Sequence, residues 1–198
     1  IRLMRKILFT AFLSFLTIFT MANNPHISRV NVNVETSTVK WKGSKVSKSH
    51  DGIVSIAKGI LLIDHGTLVG GEMAIDMNSI TCTDIESEKK RGYLEQHLKN
   101  EDFFDVEKFP FANIKITSAT KKEEGQYSIT ADLTIKGITH PITFTSEVKI
   151  NGEEVIGNAS FKIDRTKWGV KYGSGSFFKE LGDKMILDDI DFDIILKS

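Results

Sequence analysis

The chain has 198 residues, with 26 basic and 26 acidic side chains, a length suited to one domain. That balance gives no clustered cationic footprint for nucleic acid and no polybasic segment for anionic membranes. Cys82 is the single cysteine, so an intramolecular disulfide is excluded and stability must come from a hydrophobic core.

Arg5 and Lys6 precede an uncharged apolar run from Ile7 to Met21, and Thr20-Met21-Ala22 offers a cleavage site. The run is shorter than the ~18 residues of a membrane span. Residues 1–22 therefore read as a removable signal peptide starting at Met4, with Ile1-Arg2-Leu3 upstream of it. Residues 23–198 form the expected single domain, periplasmic or secreted, with no stable membrane span once the signal is removed. Loss of Arg2, Arg5 and Lys6 leaves 23 basic against 26 acidic residues, about three charges negative. No cysteine lies near the cleavage point, which disfavours lipoprotein processing.

From Ile27 onward the dominant period is two. Val30, Val32 and Val34 alternate with polar residues, as do Tyr127 to Ile135, Ile142 to Ile150 and Ile190 to Leu196. Such alternation marks strands with one wet and one dry face. Eight or nine strands are expected, at about 28–35, 38–46, 53–63, 68–77, 111–119, 126–135, 138–150, 154–165 and 184–197. Glu124-Gly125, Lys136-Gly137 and Asn151-Gly152 supply hairpin punctuation. The segment 53–63 is apolar on both faces, so one face should look inward and the other should pack under a helix. That helix is expected over about Asp84 to Asn100, with Asp84 as N-cap and Tyr93, Leu94, His97 and Leu98 as its apolar stripe. Long antiparallel strands joined by short turns are best satisfied by closure into an antiparallel barrel. The fold class is all-β: an eight-stranded barrel with one helix inserted mid-chain.

No nucleophile elbow, phosphate loop or dinucleotide fingerprint is present, and no residue set supports catalysis, so no enzyme is expected. The five histidines give no ligand spacing with one another or with Cys82, and the expectation is no metal. His50 reads as a turn residue and His97 as part of the helix's apolar side, although both would meet if they share a barrel mouth. Cys82, between Thr81 and Thr83, lacks a cation to lower its pKa and reads as a packing residue. Asp188 to Asp193 has strand periodicity and no calcium-loop glycine, so it reads as a solvated acidic face. The dry faces contribute Met73, Ile75, Ile129, Ala131, Leu133, Phe144, Val148, Ala159, Phe161, Ile163, Phe192 and Ile194. In an eight-stranded barrel these either fill a core or line a channel; the residues alone leave both open.

Two stretches carry a resemblance. His97-Leu98-Lys99-Asn100-Glu101-Asp102-Phe103-Phe104-Asp105-Val106-Glu107-Lys108-Phe109-Pro110-Phe111 is similar to a HL-x-S-x-DFF-D-x-x-x-xP pattern. Ala131-Asp132-Leu133-Thr134-Ile135-Lys136-Gly137-Ile138-Thr139-His140-Pro141-Ile142 is similar to a [G/A]-DLTI-x-G-x-T-x-P hairpin. Together they resemble the YceI-like family of secreted bacterial lipid-binding proteins. The resemblance implies a lipocalin-like barrel whose dry residues enclose a polyisoprenoid, quinone-like chain or a fatty-acyl chain, with no other cofactor. It adds Trp168 to the apolar set and points to Arg165 and Lys167 as polar groups at the mouth, so that Arg165 joins His50 and His97 as head-group candidates. Ile163-Asp164-Arg165-Thr166-Lys167-Trp168-Gly169 departs from the family's NR-x-x-[FW]-G segment by carrying Asp164, which would pair with Arg165. Glu95-Gln96 stands where many members have Arg-Asp. The implied partner is an amphiphilic lipid, not nucleic acid, bound by a monomer or homodimer. The alternatives are a fatty acid or fatty amide carrier, a filled barrel acting through its surface as a stress-related interaction protein, and a lipid-ester hydrolase.

Overall fold

The computed structural model describes residues 26–123 and 125–198; the expected signal peptide lies outside them. Nine strands and one helix follow in the order β1 Ile27–Asn31, β2 Thr38–Lys45, β3 Ser49–Asp64, β4 Thr67–Cys82, α1 Glu88–Lys99, β5 Phe111–Lys121, β6 Gln126–Ile135, β7 Ile138–Asn151, β8 Glu154–Asp164 and β9 Ile186–Lys197. All pairings between these strands are antiparallel. The order β3-β2-β9-β8-β7-β6-β5-β4 returns to β3 through the β3–β4 pairing, closing an eight-stranded barrel. β1 pairs with the second half of β3 and β2 with the first, so the two occupy one strand position. The sequence-based barrel with one mid-chain helix is the observed architecture.

The break between β1 and β2 has a local cause. The Asn33 side chain accepts from the amides of Glu35 (3.1 Å) and Thr36 (3.2 Å), an Asx turn that competes with strand pairing. The expected strand 28–35 therefore stops at Asn31, and Val34 is exposed. β4 instead outruns its expected end at 77 and reaches Cys82, because its register against β3 shifts between Ile53 and Ser55 and between Ile56 and Lys58. Each shift breaks the period of two on which the sequence reading depends.

Tight turns close the other hairpins. His65 (φ 47°) and Gly66 (φ 74°) join β3 to β4, and Lys136 (φ 50°) and Gly137 (φ 73°) join β6 to β7. Positive φ at both central positions matches the right-handed twist of paired strands. Asn151 pairs with Glu154, so Gly152 (φ 64°) and Glu153 make the β7–β8 loop one residue later than the Asn-Gly signal suggests.

α1 begins after Ser87, whose side chain makes no capping bond; Asp84 is drawn away to His50 and Cys82 and does not cap it. The helix packs chiefly against β4, rather than over β3 as expected, and the Cys82 amide donates to Glu95 Oε1 at 2.9 Å. Tyr93 turns outward and is 62% exposed. The two motif stretches meet at this end of the barrel. Lys136 Nζ donates to the Glu101 carbonyl at 3.0 Å, and the Phe109 ring lies against Gly137. The motifs thus hold the end of the barrel together.

Gly52 faces Trp41 across β2–β3 and Cys82 across β3–β4. A methyl group there would lie 2.6 Å from Trp41 Cζ2 and run into the Thr81 carbonyl. Gly52→Ala is expected to lower stability by about 1–3 kcal/mol through overpacking. A urea denaturation midpoint equal to that of the parent would contradict this placement.

Candidate functional site

Closing eight strands leaves an interior just wide enough for side chains or one slender ligand. Here the inner faces enclose a hollow of about 230 Å³, taken as the space open to the centres of water molecules. Its wall is apolar over most of its length. Lys45, Lys48 and His50 stand at one rim, whereas Val148, Val155 and Leu196 lie toward the opposite end. The inner residues Ile190 to Leu196 of β9 alone extend ~20 Å at the usual strand rise, so the hollow is elongated. At the far end Tyr127 and Val155 are fully buried.

Met73, Ile75, Ile129, Leu133, Phe144, Val148, Ala159, Phe161, Phe192 and Ile194 all border the hollow. Phe144 stacks on Phe161 with ring centroids 4.6 Å apart, and Phe161 tilts against Phe192 at 5.7 Å. Between the larger side chains, Ser146, Gly157 and Ala159 leave the space unfilled on the β7–β8 wall. Ala131, Ile163 and Trp168 do not border the hollow. Ala131 is wholly buried and sits in register between the larger Ile116 and Ile142. Ile163, paired with Ile190, belongs to the packed core. Trp168 is turned to the β6 backbone, its indole N–H donating to the Leu133 carbonyl at 2.9 Å. Trp41, Met77, Ile80, Phe103, Phe104 and Leu196 are among the further wall residues that the sequence did not single out for the interior.

The head-group candidates separate. His97 packs edge-on against Phe103 and Tyr172 and lies 3.4 Å from Asp102, away from the hollow. Its partners tie α1 to the loops that cover the barrel end. Arg165 borders the hollow but is only 2% exposed, and its donors are committed elsewhere. Nη1 donates to the Val170 carbonyl (2.7 Å), Nη2 to Ile186 (3.1 Å) and Nε to Leu187 (3.1 Å). Burial pulls its pKa below the usual guanidinium value, opposed by Asp188 and Asp164. Asp164 does not form the expected close pair with Arg165; it caps the short turn of helix Arg165–Trp168 by accepting from the Thr166 amide and hydroxyl. Asp188 takes that place at 3.5 Å. Arg165 is thereby a buried clamp that ties the 165–188 loop over the barrel end.

His50 stands at the rim, with Nδ1 2.9 Å from Asp84 Oδ2. The Cys82 thiol donates to Asp84 Oδ1 at 2.9 Å. Burial, reinforced by that carboxylate, pushes the Cys82 thiol up to about 11. For Asp84 burial works to raise the pKa, but the Cys82 and His50 contacts outweigh it and the carboxyl titrates below its ordinary value.

Residues 21–197 match the model of the YceI-like domain. The chain belongs to the YceI-like family. A UPF0312 protein of Photorhabdus laumondii is 34% identical over 93 residues, 46% of each chain. The YceI protein of Salmonella arizonae is 33% identical over 85 residues, 43% of this chain and 40% of the relative. The matched part thus spans less than half the length of these curated relatives. Several solved structures share the fold, among them the following two. BcnA of Burkholderia cenocepacia superposes with a TM-score of 0.69 at 20% identity, over 84% of this chain and 99% of that one. A polyisoprenoid binding domain from Saccharophagus degradans gives 0.61 at 13% identity, over 84% and 95%. In this YceI-like chain the recurrent motifs fall on the barrel's end closure, while the hollow is lined by residues outside both motifs as well as by Leu98, Phe103, Phe104, Leu133 and Ile135 within them. Among the described residues no helix is long and apolar enough to cross a membrane.

Two outcomes are expected at the Arg165 clamp. Arg165→Met leaves three carbonyls and the Asp188 charge uncompensated and should cost about 3–5 kcal/mol, seen as a lowered urea midpoint. For Asp188 burial raises the pKa, but the Ser174 and Ser176 hydroxyls and the Arg165 charge prevail and lower it. Its stabilising contribution is therefore full above the unfolded carboxylate value and is lost as pH falls through the lower folded value. Asp188→Asn should reduce stability at neutral pH and flatten the acid limb of a midpoint-versus-pH series. An acid limb of unchanged steepness would contradict the pairing.

Proposed function

We propose that this YceI-like protein is an exported carrier that holds one polyisoprenoid, quinone-like chain in its barrel and performs no catalysis. The observation that carries the reading is the elongated apolar hollow between the rim at His50 and the far end at Leu196. A hollow this long, with Ser146 as the polar group on the otherwise apolar β7–β8 wall, suits a flexible hydrocarbon. It offers little to a compact polar metabolite, which needs several convergent polar groups. Family membership and the fold shared with a polyisoprenoid binding domain support the same ligand class.

Each methylene moved from water into such a wall contributes ~0.8 kcal/mol, and ordering of the ligand offsets a large part of it. Selection would therefore rest on chain length and on the polar rim rather than on total contact area. Lys45 and Lys48 at that rim favour a second reading, a fatty acid whose carboxylate meets the two ammonium groups. A filled barrel acting only through its surface is disfavoured by the space left beside Ala159 and Gly157.

Ala159 sits mid-strand on the hollow's wall between Ser146 and Ile194. Ala159→Trp should abolish uptake of a fluorescent polyene or a prenylquinone while retaining a cooperative melt. Ala131→Trp, whose position is packed, should instead lose stability. Undiminished binding of prenylquinone by a folded Ala159→Trp variant would remove the hollow from the function. Binding of fatty acid but not prenylquinone by the parent would select the second reading.

A further inference from the structure

The cluster at the rim does more than the lipid reading asks of it. His50 near the start of β3, Cys82 at the end of β4 and Asp84 just beyond it offer an imidazole nitrogen, a sulfur and a carboxylate oxygen, all within 4.8 Å of one another. We propose that His50, Cys82 and Asp84 form a binding site for a divalent transition ion of the zinc class, with its fourth position open to solvent.

Three features of the geometry support this. Zinc at ~2.3 Å from sulfur and ~2.0 Å from nitrogen or oxygen needs donors about 3.5 Å apart in a tetrahedron. Asp84 Oδ1 alone lies 2.9 Å from the Cys82 sulfur and 3.3 Å from His50 Nδ1, and with all three donors within 4.8 Å of one another side-chain adjustments of about an ångström would admit the ion. The backbone carrying the ligands is already fixed. The Thr83 amide donates to the Asp51 carbonyl at 2.9 Å, and the Cys82 amide donates to Glu95 at 2.9 Å. These bonds fix the chain segment from which the Cys82 and Asp84 side chains project.

An open surface depression beside the cluster is bordered by His50, Asp84, Glu86, Ser87, Lys48 and Lys90, with Cys82 beneath rather than on its wall. It gives the ion an entry path and room for a water or an anion as fourth ligand. Lys48 and Lys90 oppose a bare cation there, but they favour an anionic fourth ligand once the ion is bound. A thiolate with an imidazole selects borderline-soft ions over magnesium or calcium. On binding, the Cys82 proton leaves to solvent and the sulfur ligates as thiolate. His50 also borders the apolar hollow, so the ion would sit where the hollow and the depression adjoin.

The site stands whether or not the barrel carries a lipid, and its test uses the metal alone. The full chain, stripped with chelator, is titrated with Co²⁺ and then with Zn²⁺. A stoichiometric tetrahedral Co²⁺ spectrum with a thiolate charge-transfer band, displaced by Zn²⁺ and untouched by Mg²⁺, is expected. Cys82→Ser should lose the charge-transfer band, and His50→Gln should weaken Co²⁺ binding tenfold or more. If Cys82→Ser fails to fold, His50→Gln, at the partly exposed rim, decides the question. Only weak octahedral absorption in the parent, a charge-transfer band that survives in Cys82→Ser, or full affinity in folded His50→Gln would overturn the site.

Discussion

The pairing of β3 with β4 is the contact on which the rest depends. Without it the strands would form one open sheet with β3 and β4 as unpaired edges. With it the sheet becomes a tube whose contents are decided by side-chain volume. The cost of that closure is visible where the strands crowd. Gly52 lies against Trp41 and the Thr81 carbonyl, Gly59 lies against Met73 and Val32, and register shifts accommodate the curvature.

Inside the tube, packing is uneven. Residues on β3 and β4 such as Ile56, Leu61 and Leu68 are fully buried, whereas Phe144, Phe161, Phe192 and Ile194 remain partly accessible although they face inward. The difference traces to Ser146, Gly157 and Ala159, which interrupt the large residues of the β7–β8 wall. The barrel ends are treated differently again. The far end is closed by short hairpins over Tyr127 and Val155. The other is covered by α1, by the Phe103–Phe104 turn and by the loop clamped on Arg165. The polar and titratable groups that matter, from His50 to Asp188, gather at this covered end, where the chain leaves the barrel for its two long excursions.

Much of this was legible in the sequence. Alternation marks β1, β6, β7 and β9 because each has one wet face, and it identifies much of the hollow's wall for the same reason. It failed where a side chain captured the backbone, as Asn33 did, or where a bulge shifted the phase, as within β4. It also could not separate Ala131 from Ala159, which share the same inward alternation. Only the lengths of the cross-strand neighbours, Ile116 and Ile142 in one case and Ser146 and Ile194 in the other, distinguish a covered methyl from an exposed one. The Arg165 clamp had no local signal, since its acceptors are backbone carbonyls of Val170, Ile186 and Leu187. The meeting of His50 with Cys82 and Asp84 did have one. Reflection about the His65-Gly66 turn carries residue 50 to the neighbourhood of 81, and the β3–β4 bulges carry it on toward Asp84.

The proposed carrier reading makes one claim above the others, that the protein taken from its host holds a hydrocarbon chain inside the barrel. Native mass spectrometry of the chain purified from its host without detergent, followed by organic extraction of the same sample, tests this directly. The account predicts a stoichiometric mass increment that disappears on extraction and yields a prenyl lipid. A bare protein that also takes up neither prenylquinone nor fatty acid when these are added would contradict it.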